Sequence, residues 1–210
     1  DEGHRVLVLQ GAGRAFCVGA DIKAMTVMNE ADFERAANLY QSLARTAVGT
    51  LKPLIASVQG YALGGGLEIA LICDLRIAGS SAKFGLPDAP LGFSPTGGLS
   101  CLLPRLVGAG RAMHLLLGAQ PIDAQTAEDI GLVSRVVPDD DRERETKEWA
   151  QEIASYPATG VRNIKHLSTS AFALNFEEVL ALEVRYDRDC YADPETQSNL
   201  AAFVRERVKD

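Results

Sequence analysis

The run Gly60-Tyr61-Ala62-Leu63-Gly64-Gly65-Gly66-Leu67-Glu68-Ile69-Ala70 constrains this chain more than any other feature. It follows the short apolar stretch Leu54–Val58, which reads as a strand, and it opens a segment with helical character from about Gly66 to Ile72. Three successive glycines remove every Cβ from the turn, so a ligand can approach the backbone amides closely. Amides in the first turn of a helix lack intrahelical partners and sit at the positive end of the macrodipole. Such a place favours negative charge, either a phosphate or an oxyanion that develops during reaction. Glu68, one turn in, is a carboxylate in an otherwise apolar stretch. Taken alone it is either an acid that complements the dipole or a group that moves protons.

Two glycine-rich alternatives fail on their own requirements. A phosphate loop needs Gly-Lys-Ser/Thr after the glycines, and here Gly66-Leu67-Glu68 stands instead. Gly11-Ala12-Gly13 begins a dinucleotide fingerprint, but Arg14-Ala15-Phe16 supplies no third glycine at the required place. A net charge of −7 over 210 residues leaves no basic excess for tracking nucleic-acid phosphates, so no nucleic-acid partner is expected. It leaves room for a small anionic ligand held by a lysine or a helix terminus. The longest apolar run, around Ala62–Ile72, is interrupted by Glu68 and is too short to span a bilayer. Asp1-Glu2-Gly3-His4 shows no leader pattern, and a cytoplasmic protein without a membrane partner is expected. Cys17, Cys73, Cys101 and Cys190 form no CxxC pair and sit in apolar stretches, which predicts buried free thiols in a reducing compartment. His4, His114 and His166 show no metal-ligand spacing, so no metal is expected.

The remaining periodicity predicts an α/β core followed by helices. Val6–Gln10 reads as a buried strand, and Asp32 as the cap of a helix to about Ala47 with Phe33, Ala36, Ala37, Tyr40, Leu43 and Ala44 on one face. Strands are expected at Leu75–Ala78, near Lys83–Gly85 and at Val133–Val137, with a loop from Asp88 to Gly98. Helices are expected from Thr96 onward, at Gly110–Leu117 and at Asp123–Ile130. After Pro138 comes the charge run Asp139–Glu145, then helical patterns at Arg142–Ser155, Gly160–Ala173, Asn175–Tyr191 and Pro194–Val208 without strand signal. The expected division is a core over residues 1–137 and a helical region over 138–210.

A second small-residue segment, Ala15-Phe16-Cys17-Val18-Gly19-Ala20-Asp21-Ile22-Lys23, also follows a strand. Together with Lys52–Glu68 it resembles the enoyl-CoA hydratase/isomerase (crotonase) superfamily. The resemblance continues through Cys73-Asp74-Leu75-Arg76-Ile77-Ala78, Phe84-Gly85-Leu86-Pro87-Asp88, Leu103–Gly108 and Ala127 with Gly131-Leu132-Val133, so it covers nearly the whole chain.

The resemblance implies a crotonase-like spiral of ββα units with a helical C-terminal region used in assembly as a homotrimer or a dimer of trimers. It implies an acyl-CoA thioester substrate, no cofactor beyond the CoA that the substrate carries, and a place in fatty acid metabolism. By its motif the backbone N–H groups of Ala20 and Gly65 form an oxyanion hole. Val18, Ala20, Asp21, Ile22 and Lys23, with Gly64 and Gly65, hold the CoA thioester. Glu68 matches the first catalytic glutamate, and the second falls on Asp88, which is one methylene shorter. A displacement on the order of 1 Å in an acid/base group can cost about a hundredfold in rate, so Asp88 is either a working acid/base or a spectator. The implied activity is hydration of a 2-trans-enoyl-CoA. Δ3,Δ2-enoyl-CoA isomerisation and a catalytically silent acyl-CoA-binding subunit are the alternatives. The loop Leu91–Gly98 is one residue shorter than in typical hydratases, and the sequence starts almost at its first strand, which points to a missing N-terminal piece.

Overall fold

A computed structural model describes residues 3–207. The chain divides into two compact units, one of Leu7–Thr50 with Leu54–Ala150 and one formed by the described residues of Asp1–Val6, Leu51–Pro53 and Gln151–Asp210.

The larger unit repeats one pattern: a strand in a first sheet, a turn or short loop, a short strand or bridge in a second sheet, then a helix. β1 (Leu7–Gln10) is followed by the isolated bridge Cys17–Ala62, then α1 (Ile22–Met25) and α2 (Glu30–Gly49). β2 (Leu54–Val58) leads to β3 (Tyr61–Leu63) and α3 (Gly65–Leu71). β4 (Leu75–Gly79) leads to β5 (Lys83–Gly85), α4 (Leu99–Val107) and α5 (Ala109–Gly118). β6 (Ile122–Asp123), α6 (Ala124–Asp129) and β7 (Arg135–Val137) complete it. The first sheet is parallel in the order β1-β2-β4-β7, and the second has the order β3-β5-β6 with β6 antiparallel.

Strand order decides burial. β2 has a neighbour on each side and is buried along its whole length, as a parallel central strand with apolar residues on both faces must be. β1 is the edge strand, and Leu7 and Val8 are exposed, so the expected burial of Val6–Gln10 is corrected. The turn between β2 and β3 is only Gln59-Gly60. Gly60 has φ +58°, and a Cβ there would lie 2.1 Å from the Arg14 carbonyl oxygen, so only glycine fits. Gln59 Nε2 donates to the Gly11 carbonyl at 2.7 Å and to that of Gly13 at 3.1 Å, tying the loop after β1 to this turn.

Ile55, Val58, Leu67, Ile77, Phe84, Leu86, Leu99, Leu103 and Leu132 are fully buried. Two arginines are buried with them. Arg76 donates from Nε to the Leu132 carbonyl at 2.6 Å and from Nη1 to the Cys73 carbonyl at 2.7 Å. Arg142, at the start of α7 (Arg142–Ser155), hydrogen-bonds Ser57, whose hydroxyl also pairs with Thr146 at 2.9 Å. Both guanidiniums thus replace water by hydrogen-bond acceptors, which a buried cation requires.

The smaller unit holds α8 (Ala158–Ser170), α9 (Phe176–Ala192) and α10 (Pro194–Arg207), with α9 packed against both others. A reciprocal capping box between Asn175 and Glu178 starts α9. Tyr186 Oη pairs with His166 Nδ1 at 2.8 Å, and Thr159 Oγ1 donates to Asp193 Oδ2 at 2.5 Å. Among the described residues no strand follows β7. Val208, the expected end of the last helix, lies outside the described residues.

Several boundaries differ from expectation. Asn29, not Asp32, caps α2, because its side chain accepts the Asp32 amide and the helix gains a turn. α4 begins at Leu99 rather than Thr96, since Gly97 and Gly98 take φ of +58° and +81° that a helix cannot contain. α8 starts at Ala158 and ends at Ser170, before Ala173. The three-residue β3 and two-residue β6 have no period to detect, and Ala89–Leu91 forms a 3-10 turn within the expected loop. Cys73 is buried as expected, but Cys101 on α4 is exposed and Cys190 on α9 and Cys17 at the bridge to Ala62 are half-buried, because packing of the whole element rather than local apolar context sets their burial. No described helix is long and apolar enough to cross a membrane.

Candidate active site

The site is built where the loop before α1 meets the turn before α3. Cys17 donates its N–H to the Tyr61 carbonyl at 3.1 Å and accepts the Leu63 N–H at 3.0 Å, so residues 17–19 run beside β3 like a further strand. This places Gly19 (φ +91°) against Gly64 and Gly65: a Cβ on Gly19 would lie 3.2 Å from the Gly65 nitrogen. A Cβ on Gly66 would lie 2.0 Å from the Cys17 carbonyl oxygen, and one on Gly65 would lie 2.8 Å from Tyr40 Oη. Each glycine of the run therefore answers a separate demand. Gly64 (φ 52°, ψ −125°) turns the chain, Gly65 admits Tyr40, and Gly66 admits the loop backbone.

The polar groups follow from this packing. Gly64 N–H is used by the Gly85 carbonyl at 2.9 Å, and Gly64 O accepts from the Leu67 and Glu68 amides. Among the described hydrogen bonds the Ala20 and Gly65 N–H groups have no acceptor, and both lie next to the Gly19–Gly65 contact. Gly65 is the first residue of α3, where the missing partner is dictated by helix geometry.

Glu68 is buried, with only 6% of its surface exposed, and both its oxygens are engaged by one residue. Thr96 N–H donates to Oε1 at 2.5 Å and Thr96 Oγ1 to Oε2 at 2.8 Å. Asp88 sits beside the same turn, where a Cβ on Gly64 would lie 4.0 Å from its Oδ1. Among the described residues Asp88 Oδ2 is buried without a hydrogen-bond partner, and burial raises the Asp88 carboxyl above its ordinary range. Tyr40 faces the same place from α2, and its phenol is raised by burial first, then by the nearby Cys17 and Glu68.

Of the residues singled out in the sequence, Ala20, Gly64, Gly65, Glu68 and Asp88 converge. Val18 and Ile22 are exposed next to them, as is Lys23. The Asp21 carboxylate caps α1, accepting from the Lys23 amide at 2.9 Å and the Ala24 amide at 3.1 Å. Thr96 and Tyr40 were not anticipated as site residues. Tyr40 was on the apolar face of α2, and Thr96 was masked by its placement at a helix start.

The sequence model of enoyl-CoA hydratase/isomerase matches residues 1–210. This chain belongs to the enoyl-CoA hydratase/isomerase family. Within the family it is 36% identical over 208 residues to a crotonyl-CoA hydratase of Syntrophomonas wolfei, covering 99% of this chain and 80% of that one. It is 37% identical over 202 residues to a short-chain-enoyl-CoA hydratase of Clostridium acetobutylicum, covering 96% of this chain and 77% of that one. The crystal structure of an enoyl-CoA hydratase from Bacillus anthracis superposes with a TM-score of 0.92 at 35% identity, over 96% of this chain and 79% of that one. The spiral of ββα units is thus the family's fold.

Proposed function

We propose that this enzyme adds water across the double bond of 2-trans-enoyl-CoA thioesters, with Glu68 and Asp88 as the two proton-handling groups. The observation that carries the reading is the convergence of two carboxylates and two unpaired amides on one glycine turn. Glu68 takes a proton from water as the water oxygen bonds to C3. The C2–C3 π electrons move onto the thioester carbonyl oxygen, where the Ala20 and Gly65 N–H groups stabilise the enolate. One such donor is worth roughly 3 kcal/mol in a transition state. The Asp88 carboxyl, raised by burial, retains its proton more readily than an exposed aspartate and delivers it to C2. Val18, Ala20, Asp21, Ile22, Lys23, Gly64 and Gly65 border the thioester in this reading, and turnover needs no cofactor beyond the substrate's own CoA. The relatives named as hydratases support it.

The purified protein is to be assayed against 2-enoyl- and 3-enoyl-CoA esters of several chain lengths. Loss of the conjugated enoyl thioester with formation of the 3-hydroxyacyl-CoA is expected. Isomerisation of a 3-enoyl-CoA without water addition to any 2-enoyl-CoA would replace this reading with the isomerase, and no turnover of either with intact acyl-CoA binding would leave a silent binding subunit.

The same reading includes a cytoplasmic homotrimer or dimer of trimers, assembled through the helical region 138–210. Phe176, Leu180 and Val184, at i, i+4 and i+8 on α9, are 73%, 39% and 71% exposed, an apolar stripe that a second copy would remove from water. Sedimentation showing only a monomer at micromolar concentration would reject this.

A further inference from the structure

The hydroxyl of Thr96 holds Glu68 from outside its own helix. Thr96 lies 28 positions after Glu68 and reaches both carboxylate oxygens, the amide to Oε1 at 2.5 Å and the hydroxyl to Oε2 at 2.8 Å. The reach is built into the chain. Gly97 and Gly98 take φ of +58° and +81°, reversing the backbone immediately after Thr96, and a Cβ on Gly97 would lie 3.4 Å from Glu68 Cβ. Leu99 N–H closes the turn on the Thr96 carbonyl at 3.0 Å, so α4 starts from the same bend.

We propose that Thr96 is a positioning residue, whose side-chain hydroxyl fixes the rotation of the Glu68 carboxylate and so aims it for proton transfer. The inference rests on the assignment of Glu68 as the group that takes the proton. A glutamate has a broad terminal torsion, and one amide contact leaves the carboxylate free to turn about that contact. A second donor on the other oxygen removes that freedom. Each oxygen keeps acceptor capacity beyond its Thr96 contact, because an ionised carboxylate offers about four lone-pair sites. The hydroxyl can donate only one hydrogen, and it is committed to Oε2, so Thr96 orients Glu68 without competing for the water proton.

The test separates the hydroxyl from the backbone amide, which both Val and Ser retain at this position. Thr96→Val removes the hydroxyl at equal bulk, and Thr96→Ser restores it. On crotonyl-CoA, Thr96→Val is expected to lower kcat by about ten- to a hundredfold with KM within about threefold, the size of effect that a misplacement near 1 Å produces. Thr96→Ser is expected to recover kcat to within about threefold of wild type. Crystal structures of the two variants give a readout independent of turnover: the Glu68 carboxylate keeps its plane in Thr96→Ser and rotates or becomes multiple in Thr96→Val. Wild-type kcat in Thr96→Val, an equal loss in Thr96→Ser, or an unchanged Glu68 carboxylate in Thr96→Val overturns the proposal. A wild-type protein that hydrates no enoyl-CoA removes the hydratase reading, and the Glu68 plane in the variant structures then decides the role of Thr96 alone.

Discussion

Glu68→Gln is the change that separates what this residue does for the fold from what it does for the reaction. Gln has nearly the same shape, and the two Thr96 contacts can both survive. The amide oxygen takes the place of Oε1 and accepts the Thr96 N–H, while the amide nitrogen donates to Thr96 Oγ1, which rotates to accept. What is lost is charge: two hydrogen bonds to a carboxylate become two neutral ones. Charge-assisted bonds contribute about 1.5–3 kcal/mol and neutral ones about 0.5–1.5, but the charge itself was also costly to bury. These effects oppose each other, so the net change in stability should be within about 1 kcal/mol, or roughly 3 °C in melting temperature for a chain of this size. The reaction has no such compensation, because a neutral amide cannot take a proton from water at neutral pH. Hydration of crotonyl-CoA should fall by roughly two to four orders of magnitude. Binding of a saturated acyl-CoA, measured by calorimetry, should stay within about threefold of wild type, since the Ala20 and Gly65 amides are untouched. A kcat near the wild-type value refutes the assignment of Glu68, and a melting point lowered by 10 °C or more refutes the compensation between charge burial and hydrogen bonding.

Four further outcomes follow from the same structure. Asp88→Asn should reduce hydration by about two to four orders of magnitude if Asp88 supplies the C2 proton, and by less than about tenfold if it is a spectator, as steady-state kinetics will show. Burial raises the folded Asp88 carboxyl above its ordinary 3.8, so ionising it costs stability as pH rises from that value through the raised one; Asp88→Asn should therefore stabilise the protein at neutral pH, with the gain fading as pH falls from the raised value to 3.8 and absent below it, in melting curves across pH. Gly66→Ala puts a Cβ 2.0 Å from the Cys17 carbonyl oxygen, so the variant should lose both its cooperative melt and its acyl-CoA binding, while Gly110→Ala, with open space around its Cα, should melt like wild type. Arg76→Met removes the buried donor to the Leu132 carbonyl and should cost about 2 kcal/mol in urea unfolding.

Sequence alone determined the elements whose information is local. β2 and α3 were legible because a run of five apolar and small residues and an apolar helix of about two turns each follow a turn signal, and the glycines at 64–66 because no other residue permits such backbone approach. The family motif carried Ala20, Gly65, Glu68 and Asp88 to their positions, and the fold brings these residues to one turn. Tertiary structure decided what depends on partners distant in the chain. β3 and β6 exist only because β5 lies between them to pair with, and β1 is exposed only because strand order leaves it at the edge. Asn29 rather than Asp32 caps α2 because both side chains suit a cap, and the turn geometry chooses between them. Thr96 reaches Glu68 through two positive-φ glycines across 28 residues. No periodicity encodes such a contact, because hydrophobic pattern reports which face of an element is buried and not which loop folds back upon it.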